Sequence, residues 1–181
     1  MPTFGKDEVV ALLPHRGIML LVDSYVYNPE NPDVCYVRYT VQQEGQTKLW
    51  LDGHGGIMPG SLIVEHAQQG GLLLYLLKHN LEMPVIGQDF AVTEDGPNKF
   101  RREVHPGHVL VTEVSFVTLK RSEKVKKGIS FHYFQFRTML EEDFLKGNNK
   151  LVASGFFRAT RKHIPKPKQG EPESAPPEKY L

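Results

Sequence analysis

The feature that most constrains the fold is an apolar segment at residues 62–77, which follows a glycine-rich loop and Pro59. Proline favours the first turn of a helix, because its ring fixes φ and its missing N–H is one that the helix would leave unpaired. Ser61 lies beside it and could cap the same helix. The polar side chains that chiefly interrupt the segment are Glu65, His66, Gln68 and Gln69.

A helix that is apolar on nearly every side belongs in a core rather than on a surface. This one would be roughly 25 Å long, about the width of a small domain. Its charged and amide side chains break the apolar run well short of the ~18 residues that a membrane span needs. The sequence therefore predicts a buried helix that holds an ionisable carboxyl group, Glu65, in its first turns.

Composition limits the function classes. A chain of 181 residues is expected to form one domain with its own core. The net charge of +1 gives no electrostatic support for nucleic-acid binding. The single cysteine, Cys35, excludes an internal disulfide framework and is compatible with a reducing compartment. Residues 1–8 lack the apolar core of a secretory signal. We therefore expect a soluble cytoplasmic protein that engages neither nucleic acid nor membrane.

Most of the remaining chain is strand-like. A short helix is predicted at residues 6–13, and residues 49–51 resemble a strand that approaches the glycine-rich loop. About six antiparallel strands are predicted, from segments at residues 18–26, 34–42, 85–93, 100–104, 109–119, 128–140 and 151–159. One long buried helix with such a sheet predicts an α+β domain over residues 1–161. Residues 162–181 are rich in Lys, Pro and Glu and predict a disordered tail.

Several short sequence blocks occur in a fixed order along the chain. They are Leu12-Leu13-Pro14-His15-Arg16, Met19-Leu20-Leu21-Val22-Asp23, Gly53-His54, Ile57-Met58-Pro59-Gly60-Ser61-Leu62 with Glu65, Ala67-Gln68, and Lys99-Phe100-Arg101-Arg102 with Val104, Pro106 and Gly107. In this order they resemble the 3-hydroxyacyl-acyl-carrier-protein dehydratases of the FabZ/FabA type. The resemblance extends over roughly residues 6–160.

The resemblance implies a hot-dog fold, in which a curved antiparallel sheet wraps the long central helix. It also implies a homodimer or a higher multiple of dimers, with the catalytic histidine of one subunit meeting the catalytic acid of the other. The positions that match are His54 and Glu65. The implied substrate is a 3-hydroxyacyl thioester on the phosphopantetheine of an acyl carrier protein or of coenzyme A. The loop after His54 is about three residues shorter than is usual in the family.

The residue types fit the removal of water from such a thioester. Histidine suits the base that takes the C2 proton, because it titrates near working pH. A carboxyl group in an apolar pocket resists ionisation, so Glu65 could hold a proton for the departing hydroxyl. The helix N-terminus could stabilise the thioester oxygen as it gains charge. The predicted oxyanion and substrate-binding residues are Gly60, Gln68, Met58 and Pro59. Nothing in this chemistry requires a metal or a cofactor.

Two other functions fit the same fold. A hot-dog acyl thioesterase would use Glu65 to activate water or to attack the thioester. A non-catalytic acyl-thioester binding protein would keep the fold with a disabled site, and the shortened loop after His54 favours it.

Other chemistry-bearing residues have plainer interpretations. We expect His66 and the His15-Arg16 pair to be structural, and His105 and His108 at a Pro-Gly turn are weak evidence for a metal. Gly70-Gly71 indicates close packing or room for an acyl chain, with packing favoured. The basic side chains form a solvated face or attract an acidic carrier protein; they are Lys99, Arg101, Arg102, Lys120, Arg121, Lys124, Lys126 and Lys127.

Overall fold

The computed structural model describes residues 3–42, 47–81, 90–117 and 129–162. Four helices lie within these ranges: α1 Lys6–Leu12, α2 Thr47–Gly53, α3 Gly60–Lys78 and α4 Glu141–Leu145. α3 is the predicted apolar helix, and its side chains are buried on nearly every side. It begins directly after Pro59, in agreement with the preference of proline for helix starts.

The described strands form one antiparallel sheet. Their bounds are β1 Thr3–Phe4, β2 Ser24–Tyr27, β3 Val34–Thr40, β4 Phe90–Asp95, β5 Lys99–Phe100, β6 Val109–Phe116, β7 Ile129–Leu140 and β8 Leu151–Lys162. The order across the sheet is β1-β2-β3-β6-β7-β8-β4, and β5 pairs with β8 beside β4. β3 alternates strictly between buried and half-buried side chains, as its sequence predicts.

α3 lies against the sheet at very short range because it carries two consecutive glycines there. A Cβ on Gly70 would come within 2.8 Å of the Val37 side chain, and one on Gly71 within 2.5 Å of the Phe157 ring. Both neighbours are buried in the core. The interpretation of the Gly70-Gly71 pair as close packing is therefore confirmed, and the space beside it is filled by side chains.

The α+β class is confirmed, but the strand count of about six is too low, since the described sheet has eight. The strand without a predicted counterpart is β1, which has two residues and is too short to show an alternating pattern. The strand predicted at residues 100–104 is largely wrong, because β5 also has two residues and ends at Phe100. The predicted strand at residues 18–26 is also shorter than expected. A 3₁₀ turn occupies Gly17–Met19, and β2 begins only at Ser24.

The predicted strand at residues 49–51 is wrong. These residues lie inside α2, where a run of three apolar residues could not distinguish strand from helix. α2 ends at Gly53, and the main-chain carbonyl of Leu51 then accepts hydrogen bonds from the N–H groups of His54 and Gly56, at 3.1 and 2.7 Å. The approach to the glycine-rich loop is thus helical.

Three expectations fall partly or wholly outside the described residues. The predicted strand at residues 85–93 is described only from Phe90 onward, and five of the eight basic residues lie at 118–128. Lys162 is the last residue of β8, so the predicted tail is described at that position alone. The division into a domain at residues 1–161 and a tail stays a prediction. In the described part of the chain, no helix is long and apolar enough to cross a membrane.

Candidate functional site

The N-terminus of α3 has no side-chain cap. Pro59 is its N-cap, in extended conformation, and no side chain caps the first turn, so the predicted cap by Ser61 is wrong. The main-chain oxygen of Pro59 accepts from the N–H groups of Leu62 and Ile63, at 3.0 and 3.4 Å. The N–H groups of Gly60 and Ser61 precede these and have no intrahelical acceptor. Together with the helix dipole, they favour negative charge at this point.

Gly60 is in contact with the ring of Phe100. A Cβ at position 60 would lie 2.8 Å from Cε1 of Phe100, a contact that a fixed ring could not accept. Phe100 is 50% exposed, so it forms one wall of the helix entrance rather than part of the core. Nearby, the N–H of Met58 donates to the main-chain oxygen of Val104 at 2.8 Å. Two sequence blocks that are about forty residues apart in the chain therefore meet at the start of α3.

Glu65 lies one turn further along α3 and is half-buried, with 29% of its side chain exposed. Its Oε1 accepts a hydrogen bond from Nε2 of Gln69 at 2.9 Å, and Nε2 of His15 lies 3.6 Å from the same oxygen. Within the described residues both of these contacts are on Oε1. Among the described contacts, the amide that supports the carboxyl group belongs to Gln69.

Gln69 joins Glu65 to the entry segment, which we define as residues 14–23. The amide nitrogen of Gln69 also donates to the main-chain oxygen of Met19 at 2.6 Å, and its oxygen accepts from the N–H of Leu21 at 2.9 Å. The side chain is only 1% exposed. A buried amide that is satisfied on both atoms has a fixed orientation, and it therefore restricts Glu65 as well.

His66 attaches the same segment to α3 through the main-chain oxygen of Leu21. Its Nδ1 lies 2.6 Å from the main-chain oxygen of Leu21, so this nitrogen carries the proton and donates. Complete burial lowers the pKa of His66 from 6.5 to about 4, although the hydrogen bond to Leu21 and the charge of Asp23 oppose the shift. The ring is neutral near pH 7, and its contacts agree with the structural role predicted for it.

His15 is the residue whose place at the site the sequence missed. It follows α1 in the entry segment, and 26% of its side chain is exposed. Burial lowers the pKa of His15; the charge of Glu65 opposes this shift, and the charge of Arg16 adds to it. Arg16 donates to main-chain oxygens around the end of α1, so its predicted structural role agrees with its contacts. The available signal for His15 was its place in one of the ordered blocks.

His54 lies in the exposed turn after α2, and within a single chain its side chain is not brought to Glu65. The turn is closed by Gly55 and Gly56, whose φ angles of 66° and 79° favour glycine. Nδ1 of His105 lies 3.3 Å from the main-chain oxygen of Gly56 and so contacts this turn. The single chain thus assembles Gly60, Glu65 and their supports, and leaves His54 on the surface.

The other charged residues form local pairs or remain exposed. The N–H of His105 donates to Nδ1 of His108, and no group of three metal-binding side chains occurs in the described ranges. Arg102 pairs with Asp143 of α4, while Lys99 and Arg101 are exposed. A cavity of about 620 Å³ lies elsewhere, beside Tyr36 and α4, and none of the candidate site residues lines it.

The comparisons with curated proteins decide the family. The chain is 30% identical over 132 residues to the 3-hydroxyacyl-[acyl-carrier-protein] dehydratase FabZ of Clostridium kluyveri, covering 71% of this chain and 85% of the relative. It is 35% identical over 129 residues to the FabZ of Clostridium acetobutylicum, covering 68% and 84%. The chain belongs to the FabZ dehydratase family. The FabZ resemblance of the ordered blocks is thereby confirmed, although no protein-family model matches the chain.

Solved structures agree with this FabZ family assignment at the level of the fold. The dehydratase heterocomplex ApeI:P of Xenorhabdus doucetiae matches with a TM-score of 0.62 at 14% identity, covering 87% of this chain and 91% of that one. Thioesterase superfamily member 2 of zebra fish matches with a TM-score of 0.52 at 12% identity, covering 83% and 88%. The hot-dog fold is confirmed. Membership of the FabZ family also makes the chain an enzyme, a dehydratase of the hydro-lyase class.

Proposed function

We propose that the protein removes water from a 3-hydroxyacyl thioester to give the trans-2-enoyl thioester. The acyl group is carried on the phosphopantetheine of an acyl carrier protein or of coenzyme A, in fatty-acid or related acyl-chain or polyketide biosynthesis. The observation that carries the proposal is the half-buried carboxyl group of Glu65 beside the open N-terminus of α3. Its Oε1 is held by Gln69, and the neighbouring Gly60 presents main-chain N–H.

Each step has an assigned group. His54 takes the proton from C2, and negative charge develops on the thioester oxygen. The N–H groups at Gly60 stabilise that charge, because they are fixed in place before the reaction. The electron pair then forms the C2–C3 double bond as the C3–O bond breaks. Glu65 delivers a proton to the departing hydroxyl, which leaves as water. Met58 and Pro59 shape the helix entrance, and Gln68 is proposed to bind substrate.

His54 and Glu65 meet in this proposal across a homodimer, or a higher multiple of dimers. Support comes from the exposure of His54 and from the edges of the sheet. One edge strand, β1, has two residues, whereas β4 at the other edge has six and pairs with β8 on one side. Within the described ranges the other side of β4 has no partner strand. Such an edge favours association, and a two-fold pairing of β4 with its copy would satisfy it.

The basic side chains suggest how a carrier is attracted. Lys99 and Arg101 are exposed next to Phe100, which contacts the helix entrance at Gly60. Positive charge there would attract an acidic carrier protein and its phosphate. We therefore propose an acyl thioester on such a carrier as the substrate. The reaction as proposed uses no metal and no cofactor.

The test is hydration of an enoyl thioester, the reverse reaction, which is followed by loss of the conjugated chromophore. We expect His54→Ala and Glu65→Gln each to lower the rate by orders of magnitude. The double variant should be little worse than either single one, because residues that act as a unit are non-additive. Melting temperatures of all three should stay close to that of the wild type.

The same assay separates the alternatives. A thioesterase would release free thiol, and this release would be abolished by Glu65→Gln but only reduced by His54→Ala. A binding protein would show neither reaction and would retain affinity for acyl thioesters. Full hydration activity in His54→Ala would remove His54 from the mechanism, and a monomer in sedimentation at micromolar concentration would refute the shared site.

A further inference from the structure

We propose that His15 is a positioning residue for Glu65, holding the carboxyl group at Oε1 so that Oε2 faces the substrate. This inference rests on the proposed function, because it assigns His15 a part in the reaction of the same site. Nε2 of His15 lies 3.6 Å from Oε1 of Glu65, and about three quarters of each side chain is buried. Hydrogen bonds at catalytic groups are often long in the ligand-free state and shorten when substrate binds.

Only one ring nitrogen of His15 is available for such a contact. Nδ1 is buried and has no hydrogen-bond partner among the described residues, whereas Nε2 points at Glu65. Because burial lowers the pKa of His15, the ring is neutral near pH 7 and carries one proton. A proton on Nε2 gives Glu65 a donor, whereas a proton on Nδ1 would be buried without an acceptor. The contacts therefore favour the tautomer that supports Glu65.

The entry segment holds His15 in place independently of Glu65. Arg16 donates to the main-chain oxygen of His15 at 2.7 Å and to that of Val10 at 2.9 Å, which fixes the backbone at the end of α1. Further along, Gln69 and His66 hold the same segment against α3. These contacts secure the segment without any contribution from the His15 ring. The contact of the ring with Glu65 therefore has a consequence other than holding the segment in place.

That consequence is the orientation of the carboxyl group. Neutral donors approach Oε1 from two directions, Gln69 along α3 and His15 from the entry segment. A carboxyl group held at one oxygen by two donors cannot rotate freely, and Oε2 keeps a fixed direction. Positioning of this kind affects the rate of the chemical step rather than the binding of the thioester.

The test compares two substitutions in enoyl-thioester hydration. His15→Gln keeps an N–H donor near the position of Nε2, and His15→Phe keeps the ring shape but removes the donor. We expect kcat of His15→Phe to fall by roughly tenfold to a hundredfold, by analogy with the loss seen when the hydrogen-bond partners of metal ligands are removed. KM and the melting temperature should stay unchanged, and His15→Gln should retain most of kcat. If His15→Phe fails to fold, His15→Asn, whose amide ends near Nδ1, replaces it.

A double variant identifies the route of the effect. If His15 acts only through Glu65, His15→Phe should cause no further loss in a Glu65→Gln background. His66→Asn is the matched control, because His66 also joins α3 to the entry segment but makes its described contact with Leu21 rather than Glu65. We expect its kcat to stay near that of the wild type.

The outcomes separate this inference from the proposed function. A wild type that does not hydrate enoyl thioesters refutes the proposed function, and a fully active Glu65→Gln refutes the site. An active wild type with an inactive Glu65→Gln, together with equal kcat values for wild type, His15→Gln and His15→Phe, overturns only the role of His15. A loss in His15→Phe that adds to that of Glu65→Gln also overturns it.

Discussion

Acid sensitivity of the fold is predicted to depend strongly on His66. The ring is completely buried, and its pKa is lowered from 6.5 to about 4, chiefly by burial. In the unfolded chain the same histidine takes up a proton near pH 6.5, so the unfolded state binds more protons between the two values. The contribution of the neutral ring to stability is therefore fully present above about pH 6.5 and is lost as the pH falls towards 4. The difference between the two pKa values corresponds to about 3 kcal/mol in the free energy of unfolding.

His66→Asn is the perturbation that isolates this contribution. Asparagine cannot titrate, and its amide can donate to the main-chain oxygen of Leu21 from near the position of Nδ1. The variant should be less stable than the wild type at pH 7, because it leaves a small cavity. Between pH 7 and pH 4, however, the wild type should lose about 3 kcal/mol more than the variant.

Urea unfolding measures this difference. The free energy of unfolding is obtained at several pH values between 7 and 4, at one protein concentration, from the fluorescence of Trp50, the single tryptophan. His105→Asn is the control for the loss of a histidine elsewhere in the chain, since this histidine is exposed at a turn. Equal losses of stability in wild type and His66→Asn would show that His66 is not the group that titrates.

Two further predictions use glycines of α3 that contact different surroundings. Gly71→Ala should lower the free energy of unfolding by roughly 1–2 kcal/mol in urea titrations, because the cost of overpacking against the Phe157 ring exceeds the gain from the better helix propensity of alanine. Hydration activity per folded molecule should persist, and an unchanged urea midpoint would contradict the close packing at Gly71. Gly60→Ala should show the opposite pattern. Stability should change little because the exposed Phe100 ring can move, but the hydration rate should be clearly lower because the added methyl group occupies the helix entrance. Full activity would show that substrate does not use the space beside Gly60.

The parts of the fold that the sequence predicts are those with a local signal. The apolar run predicts α3 to within two residues at each end, and alternation predicts β3. The sequence predicts a strand in the entry segment because Leu20, Leu21 and Val22 are apolar, and all three side chains are buried. Their burial comes from contact with α3, and Leu21 is hydrogen-bonded to Gln69 and His66 rather than to a neighbouring strand. The sequence pattern of the segment gives no sign of these contacts with α3.

The site shows the same limit. Glu65 is predictable because a carboxyl group in an apolar helix requires an explanation, and the ordered blocks supply one. The contact with His15 joins residues that are fifty positions apart, and it depends on how α1 and the entry segment pack. The contact of Gln69 with Glu65 depends on side-chain direction, because the neighbouring Gln68 also lies about one turn from Glu65. These contacts depend on tertiary packing, and the sequence alone does not predict which of them form.

The shortened loop bears on His54 and leaves the rest of the site unaffected. Gly55 and Gly56 turn the chain with positive φ, and the N–H of Gly56 returns to the main-chain oxygen of Leu51. The N–H of Ile57 is bonded to the main-chain oxygen of His54, and that of Met58 to the main-chain oxygen of Val104. The part of the loop that is shorter than in the family therefore ends before Met58, and Met58 itself is held by a contact outside the loop. Loop length can alter the reach of His54 towards a second subunit, but Gly60 and Glu65 keep their geometry whatever that reach is. Loss of activity through the loop should thus leave thioester binding intact, which separates a disabled base from a misfolded site.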